Sequence, residues 1–422
     1  MSQATRILIA LVVGLLAGIA AVSVAPDAAT AVLTVADPVG SAWLHGLQMV
    51  IVPLIVALLV VGVAAGAEAA RAGRIAGRAI GTFVAILWIN TIVAALVVPM
   101  LLTAWPLPEA WGSALRAALS GAKPVGEVPG LAQFFDNVVP TNVVAAAAAD
   151  AFLPLTVFAL VFAFAITQLA EGPRKLMTDL FSGVADTMIV IIGWVLKLAP
   201  IGILALAYGV GARTGTAAFG ALGHYIVIVS TMGLLVLLSA YPLAMAGARV
   251  GFMRFARAVA PAQAVAFSTQ SSLATLPAML KASQQLGAPA SVSGIVLPIA
   301  VAVFRATSPA MNLAVVLYVA HLSGMELSAG QIAAGIATAA ITTMGSVSLP
   351  GTISFIASTA PVAIAMGVPI EALGLLVAVE TVPDLFRTVG NVTMDVAVTA
   401  TIGNRAEGDA VASDTDVALS DV

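Results

Sequence analysis

The chain contains no cysteine, and only 9% of its 422 residues are charged. The first absence excludes disulfides, thiol nucleophiles and cysteine-bound metals. The second excludes an ordinary soluble domain, in which about a quarter of residues are charged. A basic excess is also missing: the net charge is -3, so nothing favours a nucleic acid partner. Histidine is scarce. The three residues, His45, His224 and His321, stand apart near predicted helix ends and make a poor metal site. No HExxH, GxSxG or phosphate-binding loop occurs, so neither an enzyme nor a bound cofactor is expected. What is abundant is apolar surface, with 61% hydrophobic residues and a mean hydropathy of +1.10. Such a chain lacks the polar surface to face water all round, and it reads as an all-α polytopic membrane protein.

Apolar segments fall at 7–24, 40–66, 79–104, 143–170, 180–211, 217–247, 288–321 and 370–403. These predict eight transmembrane helices, the first being a membrane helix rather than a cleaved signal peptide. Two further stretches, 255–285 and 328–366, are broken by Ser, Gly and Pro. Their halves are too short to span and predict re-entrant helical hairpins. With both termini cytoplasmic, Arg6, Arg71, Arg74, Arg78, Arg174, Lys175, Arg249, Arg254, Arg257 and Arg405 lie inside or at the inner edge. Only Arg116, Lys123 and Arg213 lie outside, as the positive-inside rule asks. The acidic tail, 405–422, reads as disordered. The hairpins carry related motifs, "TQSSLATLP" (269–277) and "GSVSLPG" (345–351), and enter from opposite sides in this topology. That is the pattern of inverted repeats around a midplane site. A third break, "RATSPAMN" (305–312), interrupts the seventh segment.

Charge nevertheless concentrates in "ETVPDLFRTVGNVTMD" (380–395). At about 100° per residue, with Glu380 as zero, Asp384 falls near 40° and Arg387 near 340°, Thr388 near 80°, Asn391 near 20° and Asp395 near 60°. The six form one stripe that lipid cannot accept, so it faces protein or a water-filled cavity. Arg387 offers a planar fork for a carboxylate, Asp384 an acceptor for an ammonium, and Asp395 a hard oxygen ligand for a small cation. The alternative is an internal salt bridge in which Arg387 neutralises Asp384 and Glu380 at i,i+3 and i,i+7. Arg305 is the other ionisable residue at membrane depth, and it either pairs with an acid of the last helix or snorkels to an interface.

Taken together, "LQMVIVPLIVALLVVGVA", "VVPTN…FLPLTVFALVFAFAIT", "LAPIGILAL", the two hairpin motifs and "DLFRTVGNVTMD" resemble the dicarboxylate/amino acid:cation symporters, the family of the glutamate transporters. The resemblance runs along nearly the whole chain. It implies a homotrimer with an elevator fold: scaffold helices in 1–78 and 105–211, and a mobile transport domain in 79–104 and 212–404. It implies substrate contacts at Ser271, Ser272, Ser346, Pro350, Gly351, Asp384, Arg387, Thr388 and Asn391. It also implies cation ligands at Asn90, Thr91, Asn312 and Asp395, with sodium at Asp395. Asp384 matches the aspartate that holds a substrate amine.

The resemblance departs in three places. The seventh-segment Asn-Met-Asp-Gly break is absent, with Met311 and Asn312 as a remnant and Leu313 at the place of the aspartate. Gln270 replaces an arginine of archaeal relatives, and Leu385 stands where animal relatives carry it. Arg305 has no counterpart, and its guanidinium could stand in for a bound sodium ion. Arg305 and Glu380 are therefore candidates for a tethered charge or a proton site. The expected activity is symport of a small anionic substrate, an acidic amino acid, with Na+ and/or H+, in the plasma (cell inner) membrane. A C4-dicarboxylate or a neutral polar amino acid is the alternative, and an anion-conducting channel the alternative of another class.

Overall fold

The computed structural model describes residues 3–71, 73–108, 139–148, 152–345 and 351–420. The described residues are almost wholly helical, with no strand among them. Helices α1 (Gln3–Val24), α2 (Pro26–Gln48), α3 (Ile51–Arg71) and α4 (Arg74–Ala104) open the chain. They are followed by α5 (Val143–Ala148), α6 (Phe152–Thr167), α7 (Glu171–Lys197), α8 (Ala199–Thr214) and α9 (Ala217–Gly247). Helices α10 (Phe252–Thr269) and α11 (Ser272–Gln285) form the first hairpin, and α14 (Ala329–Gly345) and α15 (Gly351–Ala365) the second. Between the hairpins lie α12 (Ala290–Val303) and α13 (Ser308–Leu322), and after them α16 (Glu371–Leu376) and α17 (Thr381–Ser420).

Several predicted segments are divided, and proline marks two of the divisions. The second segment, 40–66, is split between α2 and α3, with Pro53 in the first turn of α3, where its missing N–H breaks no helical bond. The fifth segment, 180–211, is split at Leu198, and Pro200 sits in the first turn of α8. Trp43 of α2 donates its indole N–H to the Val195 carbonyl at that kink, at 2.9 Å. The eighth segment, 370–403, is split ahead of Thr381, so α17 begins directly after Glu380. Helix α17 runs on to Ser420. Extending a nucleated helix costs little per residue.

Among the described residues, five spans are long and apolar enough to cross a membrane: Thr5–Val24, Ile75–Ala104, Glu171–Lys197, Phe219–Gly247 and Ala290–Leu322. Large apolar side chains stand exposed along them, including Leu16, Ile89, Leu96, Met100 and Trp194. Water would not tolerate so many, whereas lipid requires them, and the chain is an integral membrane protein.

The core is centred on α13 and α17. Every residue of α13 except His321 is buried, so this helix touches protein all round. It packs on α4, α9, α14 and α15, while α17 lies along α9 and contacts α10, α11 and α12. Away from this centre, α1 packs tightly on α8. Small residues bring the two backbones together: a Cβ on Gly14 would lie 2.6 Å from the Leu204 carbonyl oxygen, and one on Gly211 would overlap the Leu15 backbone. Lipid gives helices no hydrophobic reason to associate, so close packing of this kind carries the contact.

Gly211→Val is expected to destabilise the protein by about 1–3 kcal/mol, since a backbone atom cannot yield to the new side chain. Gly183→Ala, at a position with open space, serves as the neutral control. Thermal melts of the detergent-solubilised variants compare the two, and equal midpoints would contradict the tight α1–α8 contact.

Candidate functional site

The seventh segment is interrupted over residues 304–307, at Phe304, Arg305, Ala306 and Thr307. Backbone groups freed at such a break, away from water, need partners from neighbouring elements. Asn90 of α4 donates its side-chain amide to the Ala306 carbonyl at 2.9 Å. Asn391 of α17 accepts the Thr307 N–H at 2.9 Å. The Thr307 hydroxyl lies 2.8 Å from the same Asn391 oxygen and 3.0 Å from the Arg387 carbonyl, with one proton to give. Gly390 permits this approach, because a Cβ there would stand 2.5 Å from the Thr307 methyl. The break is thus held between α4 and α17 by two asparagines that the sequence reading takes as a cation ligand and a substrate ligand.

The stripe on α17 falls on one face as the 100° rotation predicts: Glu380, Asp384, Arg387, Thr388, Asn391 and Asp395 are all buried. Arg387 is the hub. It donates from Nη2 to Glu380 Oε1 at 2.7 Å and from Nη1 to Asn312 Oδ1 at 2.8 Å, and its Nε lies 3.6 Å from Asp384 Oδ1. The second Glu380 oxygen accepts the Tyr225 hydroxyl at 3.1 Å. The internal ion pair at i,i+7, one of the two sequence alternatives, is therefore present. Arg305 stands half-buried at the break, within charge–charge range of Asp384 and Arg387. Two guanidinium groups and two carboxylates balance one another there.

Asn312 requires a correction. The resemblance places a remnant of the break at Met311–Asn312, but both residues are inside α13, and the opening lies one to two turns earlier. Residues 304–307 carry a guanidinium and no carboxylate. Asn312 Oδ1 is occupied by Arg387 and lies 3.3 Å from the Thr359 hydroxyl of the second hairpin, so it ties three elements together. Sequence reading gives no role to Thr359, Thr307, Gly390 or Tyr225. Their types are common in helices, and only the fold brings them to the charged stripe.

The other candidates divide. Thr91 is fully buried and donates to its own helix at Leu87 O, 2.6 Å away, which leaves oxygen lone pairs free. Thr388 likewise donates to Asp384 O at 3.0 Å. Ser271 is the N-cap of α11, its hydroxyl oxygen accepting the Ala274 N–H at 3.2 Å and keeping its own proton to donate. Neither Ser271 nor Ser272 reaches the α17 stripe by a hydrogen bond among the described residues. Ser346 and Pro350 lie outside the described residues, and Gly351 opens α15.

Asp395 differs from the rest. Both of its carboxylate oxygens are buried with no hydrogen-bond partner among the described residues, as are Ser308 Oγ and Asn312 Nδ2. A buried carboxylate is costly unless something pairs with it, and a small cation fits that donor chemistry. No cluster of three His, Cys, Asp or Glu side chains occurs among the described residues, so carbonyl and hydroxyl oxygens would complete the shell.

A family model described as the sodium:dicarboxylate symporter family matches residues 4–405. The chain is 26% identical over 256 residues to the proton/glutamate-aspartate symporter of Escherichia coli (strain K12), covering 61% of this chain and 58% of that protein. It is 26% identical over 278 residues to the proton/sodium-glutamate symport protein of Bacillus subtilis (strain 168), covering 66% and 64%. It is 32% identical over 251 residues to the neutral amino acid transporter B(0) of Rattus norvegicus, covering 58% and 44%. The chain thus spans between 44% and 64% of the length of these curated relatives.

Arg387→Met is expected to cost about 3–5 kcal/mol, the usual size when one partner of a buried ion pair is removed. Adding Glu380→Gln to that variant should restore a large part of the loss. Unfolding melts of the two singles and the double close the cycle, and additive losses would contradict the pairing.

Proposed function

The chain belongs to the sodium:dicarboxylate symporter family, and on that premise we propose that it is a secondary active symporter that takes up an acidic amino acid with H+ and/or Na+. The observation that carries this reading is the buried Arg387–Asp384 pair at the start of α17, with the unpartnered Asp395 two turns deeper. A substrate carboxylate takes Arg387 from Glu380, and Glu380 keeps its bond from Tyr225. The substrate amine goes to Asp384. Thr388 and Asn391 flank this clamp, and Ser346, Pro350 and Gly351 are the further substrate contacts that the family resemblance implies. The four charges around the break already sum to zero, so the extra negative charge of an acidic amino acid calls for a cation. Asp395, with Thr91 and Asn90 nearby in the proposed scheme, takes that role. Arg305 supplies a fixed positive charge at the break, which lowers the number of sodium ions required.

In this reading the protein is a homotrimer in the plasma (cell inner) membrane with both termini cytoplasmic. Residues 1–78 and 105–211 are the scaffold, and 79–104 with 212–404 move together as an elevator. A second reading has one observation in its favour. The 2.7 Å bridge between Arg387 and Glu380 satisfies the guanidinium internally, as a carrier of neutral amino acids would need.

Asp384→Asn is expected to lower the affinity for an acidic amino acid by about 10- to 100-fold, the worth of a hydrogen bond to a charged group. Binding of a C4-dicarboxylate, if present, is spared. Competition assays in proteoliposomes read both, and unchanged amino acid affinity would remove Asp384 from the amine site. Glu380→Gln separates the two readings. It should shift preference toward acidic substrates if the bridge sets charge selectivity.

A further inference from the structure

His224 is isolated in the sequence but not in the fold. It is buried where α9 meets α13 and the end of α4. Its Nε2 lies 2.9 Å from the Trp105 carbonyl, and its Nδ1 lies 3.1 Å from the Tyr318 hydroxyl. The Trp105 ring packs on the imidazole at 4.4 Å between centroids. The Tyr318 hydroxyl also lies 3.0 Å from the Ala221 carbonyl.

Proton counting in this cluster gives two complete arrangements. A carbonyl only accepts, so Nε2 carries a proton in both. With a neutral ring, Nδ1 needs a donor, and the single Tyr318 proton must point at it. With a charged ring, Nδ1–H donates to the Tyr318 oxygen, and the Tyr318 proton turns to the Ala221 carbonyl. Ala221 lies inside α9, whose own i+4 amide serves that carbonyl, so releasing Tyr318 from it orphans nothing. The hydroxyl stands within reach of both partners, 3.1 Å from Nδ1 and 3.0 Å from the Ala221 carbonyl, so the same atoms serve either arrangement. The site thus accepts a proton by turning one hydroxyl, with every polar group satisfied before and after.

We propose that His224, Tyr318 and the Ala221 carbonyl form a proton-binding site whose occupancy is sensed at the substrate site through Tyr225 and Glu380. Tyr225 follows His224 on α9, meets the Tyr318 ring edge-on at 5.4 Å, and donates to Glu380 at 3.1 Å. Glu380 in turn holds Arg387. Among the described residues, the titratable groups facing His224 are Tyr318 from α13 and Tyr225 beside it on α9, with Glu380 one hydrogen bond beyond Tyr225. No described lysine or arginine joins the cluster. A positive charge on the ring favours the anionic, Arg387-bound form of Glu380, since charges interact strongly in a water-poor interior. Loss of that charge weakens the hold of Glu380 on Arg387, so the neutral ring favours, and the charged ring opposes, the exchange by which a substrate carboxylate takes Arg387. Histidine is the side chain that ordinarily changes charge near neutral pH, which suits a group that loads and unloads protons.

The coupling half of this inference rests on the symport reading, and the proton site itself does not. The chain has three histidines, so NMR of the solubilised full-length protein with isotopically labelled histidine can follow His224, assigned by its loss in His224→Gln. The ring of His224 is expected to pass from the charged to the neutral form as pH rises, and Tyr318→Phe to lower its proton affinity roughly tenfold or more. Added L-aspartate, or L-glutamine if the neutral reading holds, should displace the titration curve. In proteoliposomes, His224→Gln should flatten the pH dependence of substrate affinity while leaving the order of substrate preference at fixed pH unchanged. A ring fixed in one form throughout, or a Tyr318→Phe curve that superimposes on the wild type, would overturn the site. A titration that neither amino acid displaces would overturn the coupling. Absence of uptake by the wild-type protein would count against the symport reading and leave the NMR result to decide the site.

Discussion

The structure depends on a helix that is opened inside the protein core. Residues 304–307 release backbone groups inside the core: the flanking helices keep some, as where Phe304 N–H donates to the Ala300 carbonyl, and side chains serve others. Asn90 reaches the Ala306 carbonyl from one flank, and Asn391 reaches the Thr307 amide from the other. This requirement places α4 and α17 on either side of the opening. It also fixes the rotation of α17, because Asn391 can face the break only if Arg387, Asp384 and Glu380 face it too. The polar stripe is therefore both a site and a structural consequence of the break.

Charge balance is the second constraint. Burying Arg387 without a counter-ion would be prohibitive, and Glu380, Asp384 and Asn312 surround it. A resting site that is internally neutral is closed to lipid and to stray ions. In the proposed function a substrate enters by exchanging partners, replacing one carboxylate with its own. Asp395 lies outside this balance, with two buried oxygens and no protein partner, and in the proposed function it is the position that answers to a cation. The His224 cluster is connected to the same balance through a single hydroxyl, Tyr225.

Much of this is legible in the sequence because membrane insertion simplifies the code. Long apolar runs give the helices, and a polar stripe at helical spacing inside one of them has to be buried. The alignment of Glu380 through Asp395 follows from 3.6 residues per turn alone. What the sequence hides is local and non-periodic. The break that reads at 305–312 opens only at its front, over 304–307, while Met311 and Asn312, taken as its remnant because Asn resembles a ligand, lie inside α13. The divisions near Val50 and Leu198 disappear within continuous apolar runs. The capping role of Ser271 is also hidden, because a hydroxyl before a helix can cap it, bind a substrate or do both. His224 and Tyr318 are 94 positions apart, so no spacing rule joins them.

The most direct test of the account is uptake by the purified full-length protein in proteoliposomes, with proton and sodium gradients imposed separately. The account predicts that labelled L-aspartate or L-glutamate accumulates against its gradient when at least one cation gradient is present, with no more than a partial dependence on sodium. Accumulation indifferent to both gradients, or substrate-evoked anion current without accumulation, would contradict it.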